Sequence, residues 1–154
     1  TLPFCFGSEG STSGRLMPQY FIETASGKSL DAFFGDNKPA FSGTHDNTYE
    51  WVKAGKVKVG VLNYKVYDKH KAEDGDEAPM IIWTTPTYAD YNFTAHPDLE
   101  KTFGEGFTDK LQKALVDMAD PVLLGAFPRD TLILATNEDF DGIKNVAEDL
   151  GFLN

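Results

Sequence analysis

Apolar and polar positions along the chain fall into short blocks that change period several times. Leu2 to Phe6 (LPFCF) is a brief apolar run before a stretch of glycine and hydroxyl residues, which predicts a short buried strand. Gly7 to Gly14 then reads as a loop. From Arg15 the apolar residues Leu16, Met17, Tyr20 and Phe21 recur at helical spacing, with Pro18 early in the helix and Gly27 as its stop. AFFG (32–35) predicts another short strand. SGTHDNTYEWVKAGK (42–56) is the clearest helix: Thr44 or Asp46 can cap it, Tyr49 and Val52 face inward, and Gly55 ends it. VKVGVLNY (57–64) predicts a strand, and residues 64–75 a helix fading into a polar surface loop at 71–79.

The second half repeats this alternation. PMIIWTTP (79–86) predicts a strand, residues 88–96 a strand or extended chain, and DTLILAT (130–136) a short strand or turn. Residues 104–120 form an amphipathic pattern with Phe107, Leu111, Leu115 and Met118 on one face. A last helix is predicted over 137–152, with Asn137 as its cap. Strands alternating with helices place the chain in the α/β class. Neither an internal repeat nor a low-complexity segment interrupts it.

Length and composition add limits. A chain of 154 residues can bury a real core. No apolar run is long enough to cross a bilayer as a helix. The first residues lack the basic and apolar regions of a signal peptide, so for a secreted protein the expectation is a mature form or a fragment. The formal net charge of -10 argues against nucleic acid and anionic membranes as partners, because both select basic patches. A small anion is still compatible, since backbone N–H groups can hold one without net positive charge. Cys5 is the single cysteine, so there is no internal disulfide. Between Phe4 and Phe6 it reads as a buried, inert thiol.

Candidate chemistry gathers at helix starts. Ser11, Thr12 and Ser13 lie between a predicted strand and a predicted helix, where free N–H groups and the helix dipole suit a tetrahedral oxyanion: phosphate, phosphonate, phosphite, sulfate or selenate. Simple helix capping is the alternative. The loop is not a P-loop, because Arg15 and Leu16 follow Gly14 where Lys and Ser or Thr are needed. Glycine spacing excludes a dinucleotide fingerprint, and no Gly-x-Ser-x-Gly is present. FSGTHDNT (41–48) repeats the design, with Thr44, His45 and Asp46 in a first turn, and suggests two helix N-termini converging on one site. Ser13, His45 and Asp46 do not make a hydrolase triad, since adjacent His45 and Asp46 cannot readily form the orienting bond. His45, His70 and His96 share no zinc spacing. His70 reads as solvated and His96 as a loop residue. Asn63, at a strand-to-helix junction, with Tyr88, Asp90 and Tyr91, could line a cleft or serve as packing residues.

FGSEGSTSGRLMPQYF, FSGTHDNTYEWVKAGKVKVGVLNY and WTTPTYADYNFTAHPDL, in that order, resemble the phosphonate/phosphite class of ABC-transporter substrate-binding proteins, nearest to its selenate branch. GFTDKLQKALVDM, FPRDTLI and VAEDLGFL fit the same pattern, so the likeness runs nearly end to end. It implies a type II periplasmic-binding (Venus flytrap) fold. Residues 1–88 would form its anion-binding second lobe, and 89–154 the C-terminal segment returning to the first lobe, whose N-terminal half is absent. Ser11, Thr12 and Ser13 match the residues that grip the oxyanion in that family, and His45 its anion-contacting histidine. Asn63 and Asp90 fall near positions that carry acids in aminophosphonate binders; an asparagine at 63 favours a bare oxyanion. The resemblance further implies a periplasmic or lipid-anchored location, an ABC permease as partner, no cofactor, no catalysis, and self-association of the incomplete lobe. A sensor domain and an enzyme of the thiamine-precursor type are the alternative uses of such a fold.

Overall fold

A computed structural model describes residues 2–89, 91–127 and 129–153. Three parallel strands carry its first part: β1 (Phe4–Phe6) lies between β2 (Ala40–Phe41) and β3 (Val59–Gly60), with Cys5 opposite both Ala40 and Gly60. Parallel strands need long crossovers, and helices supply them. A turn of π-helix (Thr12–Leu16), α1 (Met17–Ser26) and α2 (Leu30–Phe34) connect β1 to β2, and α3 (His45–Lys53) connects β2 to β3. After β3 come α4 (Tyr64–Asp74) and a 3-10 turn (Gly75–Glu77).

The core lies where this sheet meets α3. Cys5, Phe6, Thr48 and Tyr49 are almost wholly buried, and Met17, Phe34 and Val57 are buried around them. Burial raises the Cys5 thiol above its ordinary range, as expected of an inert cysteine. Thr48 can be buried because Ser42 Oγ (2.6 Å) and the Thr44 carbonyl (3.1 Å) engage its hydroxyl. The backbone divides into two compact units, Thr1–Thr87 with Gly142–Asn154, and Tyr88–Asp141. The closing helix α8 (Asp141–Asp149) buries Val146 and Ala147, and Phe152 beyond it lies against the Arg15 guanidinium, which also covers Phe6 and Phe41. The second unit holds α5 (Leu99–Phe103), α6 (Phe107–Val116), α7 (Pro121–Gly125) and a 3-10 turn (Asn137–Phe140). Glu100 accepts from the Phe107 and Thr108 amides and so caps α6.

Several expectations change. Residues 32–35 are not a strand: Ser29 caps α2 through the Ala32 amide, and Gly35, at φ +56°, ends it. The strand expected over 57–64 shrinks to Val59–Gly60. The strand expected over 79–86 does not form, and over 88–96 and 130–136, where a strand was one of two alternatives, the described residues form none. A strand needs a neighbouring edge to take its N–H and C=O groups, and no other strand among the described residues flanks these runs. Met80, Ile81, Ile82 and Trp83 are instead exposed. Residues 71–77 are helical rather than loop, because Asp74 is tied to Tyr49 Oη (2.8 Å) and Lys53 Nζ (2.7 Å). Thr136, not Asn137, caps the last helical segment, through Asp139. Within α6 no residue is buried, and Met118 lies beyond its end.

Candidate anion site

The three strands end on the same side of the sheet, and each runs into a helix start. In open α/β folds ligands collect at that edge. β1 leads to the π-turn, β2 to α3 and β3 to α4. His45 joins all three: Ser13 Oγ lies 3.3 Å from its Nε2, and the Asn63 amide donates to its Nδ1 at 3.2 Å. That second bond sets the tautomer of the neutral ring. Nδ1 accepts, so the proton sits on Nε2 and points at Ser13 Oγ. The Ser13 hydroxyl hydrogen is then left for another acceptor.

Burial lowers the His45 pKa from its ordinary 6.5, with Asp46 opposing the shift. The stabilising contribution of the neutral ring is therefore complete above 6.5 and is lost as pH falls through the lower folded value. His45→Gln should flatten the stability curve on the acid side of pH 6.5, measured by urea midpoints against the parent protein.

Around His45 the loop is tightly folded. The Gly7 amide donates to the Gly14 carbonyl (2.8 Å), and the Gly14 amide to Ser11 Oγ (2.9 Å). A Cβ on either glycine would come within 3.2 Å of the other's Cα. The Thr12 and Ser13 amides, at the head of the π-turn, meet no acceptor among the described residues. On the adjoining segment the Ser42 and Gly43 amides donate to the Phe6 and Gly7 carbonyls, which fixes the start of α3 against the loop.

Six of the eight candidate residues thus lie at the neighbouring helix starts: Ser11, Thr12, Ser13, Thr44, His45 and Asn63. Three of them spend side-chain oxygens on capping. Ser11 takes the Gly14 amide, Thr44 the Asn47 amide (3.0 Å) and Asn63 the Lys65 amide (2.8 Å). Tyr88 belongs to the second unit, and Asp90 lies outside the described residues. Sequence reasoning missed the Asn63 backbone N–H, which has no residue-type signal, and the Gly7–Gly14 contact, which glycines flanking a Ser/Thr turn could have suggested. It also misjudged His70, whose side chain is only 15% exposed and bonds Asp46. Among the described residues, no group of three or more His, Cys, Asp or Glu side chains could hold a metal ion. The chemistry on offer is a set of neutral N–H and O–H donors at converging helix dipoles, suited to a compact anion.

The family model described as ABC transporter, phosphonate, periplasmic substrate-binding protein matches residues 1–149. The "Probable ABC transporter phosphite binding protein PhnD1" of Prochlorococcus marinus (strain MIT 9301) is 36% identical to this chain over 156 residues, covering 97% of the chain and 52% of that protein. The solved structure of PhnD1 from Prochlorococcus marinus (MIT 9301) in complex with methylphosphonate aligns with a TM-score of 0.85 at 35% identity, over 99% of this chain and 58% of that one. The fold is thus that of a periplasmic binding protein, and the relative is named as a transport binding protein, not an enzyme. The chain spans about half the length of these relatives.

Proposed function

Because the chain belongs to the phosphonate-type periplasmic substrate-binding proteins of ABC transporters, we propose that its helix starts hold a small tetrahedral phosphorus oxyanion, a phosphonate or phosphite, for delivery to a membrane permease outside the cytoplasm. The observation that carries this reading is the Ser13–His45–Asn63 chain of contacts, which draws three helix starts together. Ligand oxygens would accept from the Thr12 and Ser13 amides and from the Ser13 hydroxyl, which His45 leaves free to donate outward. Binding by neutral donors explains how a chain of net charge -10 can take an anion. Asn63 brings no carboxylate to meet a ligand amine, which favours phosphite and simple alkylphosphonates over aminophosphonates. Selenate and phosphate share the tetrahedral shape and are the competitors to measure.

Calorimetric titration of the full-length protein with methylphosphonate, phosphite, phosphate and selenate tests the reading. Saturable binding of methylphosphonate or phosphite is expected. Ser13→Ala should weaken it by about tenfold or more, the loss of one hydrogen bond to a charged partner. Absence of binding to both phosphorus ligands, or a Ser13→Ala protein that binds like the parent, would refute it.

A further inference from the structure

We propose that Arg15 is a positioning residue for the anion loop: its guanidinium, laid over the Phe6, Phe41 and Phe152 rings, fastens the turn that carries Thr12 and Ser13 to the ends of β1 and β2 and to the closing segment of the chain. This rests on the anion-binding reading above. Arg15 is itself part of that turn, and its amide donates to the Ser11 carbonyl at 2.9 Å. Phe6 and Phe41 directly precede Gly7 and Ser42, whose amides donate to the Gly14 and Phe6 carbonyls. The cation therefore rests on the same two strand ends from which the loop and the start of α3 are hung.

Arg15 Cζ lies 4.7 Å from the Phe6 ring centroid, 5.5 Å from that of Phe41 and 5.7 Å from that of Phe152, all within reach of a cation–π attraction. Along α1 the guanidinium donates to Gln19 Oε1, Gln19 Nε2 donates to Glu23 (2.9 Å), and Glu23 accepts the Leu30 amide (2.9 Å), which fixes the side chain from the other side. Burial acts to lower the Arg15 pKa and the Glu23 and Glu9 charges oppose it; an arginine stays charged across the ordinary pH range. Phe152 is placed by the end of α8, where its amide donates to the Ala147 carbonyl (2.7 Å) and where Val146 and Ala147 are buried. A glycine-rich loop loses much backbone freedom when it is ordered. With the turn fastened before the ligand arrives, aligning the Thr12 and Ser13 amides takes less from the binding free energy.

The experiment is a double-mutant cycle on the full-length protein, with methylphosphonate Kd values for the parent, Arg15→Met, Phe152→Leu and the double variant. Arg15→Met keeps a long apolar side chain and removes the cation. Phe152→Leu leaves every charge in place and alters a residue that is 45% exposed, so its urea midpoint should stay near the parent's. Arg15→Met is expected to bind about tenfold more weakly and Phe152→Leu about threefold more weakly, in line with a stack of one cation on several rings and with its outermost ring alone. In the Arg15→Met background, Phe152→Leu should then change nothing, because the ring acts through the cation. The full threefold loss in both backgrounds overturns the proposal, since Phe152 would act without Arg15 and the arginine only by its charge. Parental affinity in either single variant overturns it too and leaves the anion site standing. If Arg15→Met does not fold, Phe152→Leu decides alone: weaker binding by a folded protein supports the clamp, and parental binding overturns it. A parent protein that binds neither methylphosphonate nor phosphite sinks the anion-binding reading, and the clamp with it.

Discussion

Replacing Gly60 with alanine is expected to destabilise the protein by about 2–3 kcal/mol, the range for overpacking a closed core. A Cβ at this position would sit 2.7 Å from Thr48 Cγ2, 2.9 Å from Val52 Cγ2 and 3.2 Å from Cys5 Sγ. None of these neighbours can step aside easily. Thr48 is fully buried, and turning its side chain would break the bonds of its hydroxyl to Ser42 and to the Thr44 carbonyl. Val52 is β-branched and stiff at χ1. Cys5 is in the central strand, directly opposite Gly60. Urea unfolding measures the loss, with an unchanged slope showing that stability rather than compactness has moved. Gly10→Ala is the control, because a Cβ there meets nothing within 4 Å. Equal midpoints for the two variants would show that α3 and the sheet are not packed as described.

That contact also shows what the sequence could and could not announce. The helices were legible because their signals are local: Thr44 before an apolar-periodic run and Gly27 after one mark α3 and α1 without any tertiary knowledge. The strands were legible only where both neighbours are at hand. Phe4–Phe6 forms as expected, whereas the equally apolar Met80–Trp83 does not, since strand formation depends on a partner edge that composition does not reveal. AFFG misled because two adjacent phenylalanines suit a strand and a short capped helix alike; the Ser29 cap decided it. At the site, the residue types at 11–13 and 44–45 pointed to helix starts, and the adjacency of those starts follows from parallel strand order, which periodicity cannot give. His70 looked solvated because it lies among charges in sequence; its burial arises from Tyr49, on another helix.

Gly14→Ala is expected to cost the largest share of anion affinity of any single substitution in the loop, about a hundredfold for methylphosphonate, as two hydrogen bonds to a charged ligand are disturbed at once. The added Cβ would lie 3.0 Å from Ser11 Oγ, 3.1 Å from His45 Cε1 and 3.2 Å from the Gly7 Cα. Two of these are anchored. Ser11 Oγ accepts from the Gly14 amide itself, and the Gly7 amide donates to the Gly14 carbonyl. His45 is the neighbour that yields, and as it moves the imidazole leaves Ser13 Oγ and the Asn63 amide. The loop amides and the His45-directed Ser13 hydroxyl then no longer aim at a common point. Calorimetry on the full-length variant reads the affinity, and circular dichroism with a urea midpoint separates a lost site from a lost fold. A folded Gly14→Ala protein that keeps the parent's affinity would mean that the anion is held elsewhere. Ser13→Ala removes one hydroxyl and should leave measurable binding, whereas Gly14→Ala displaces the group that orients that hydroxyl. The order of the two variants therefore tests whether the glycine is there to let His45 approach.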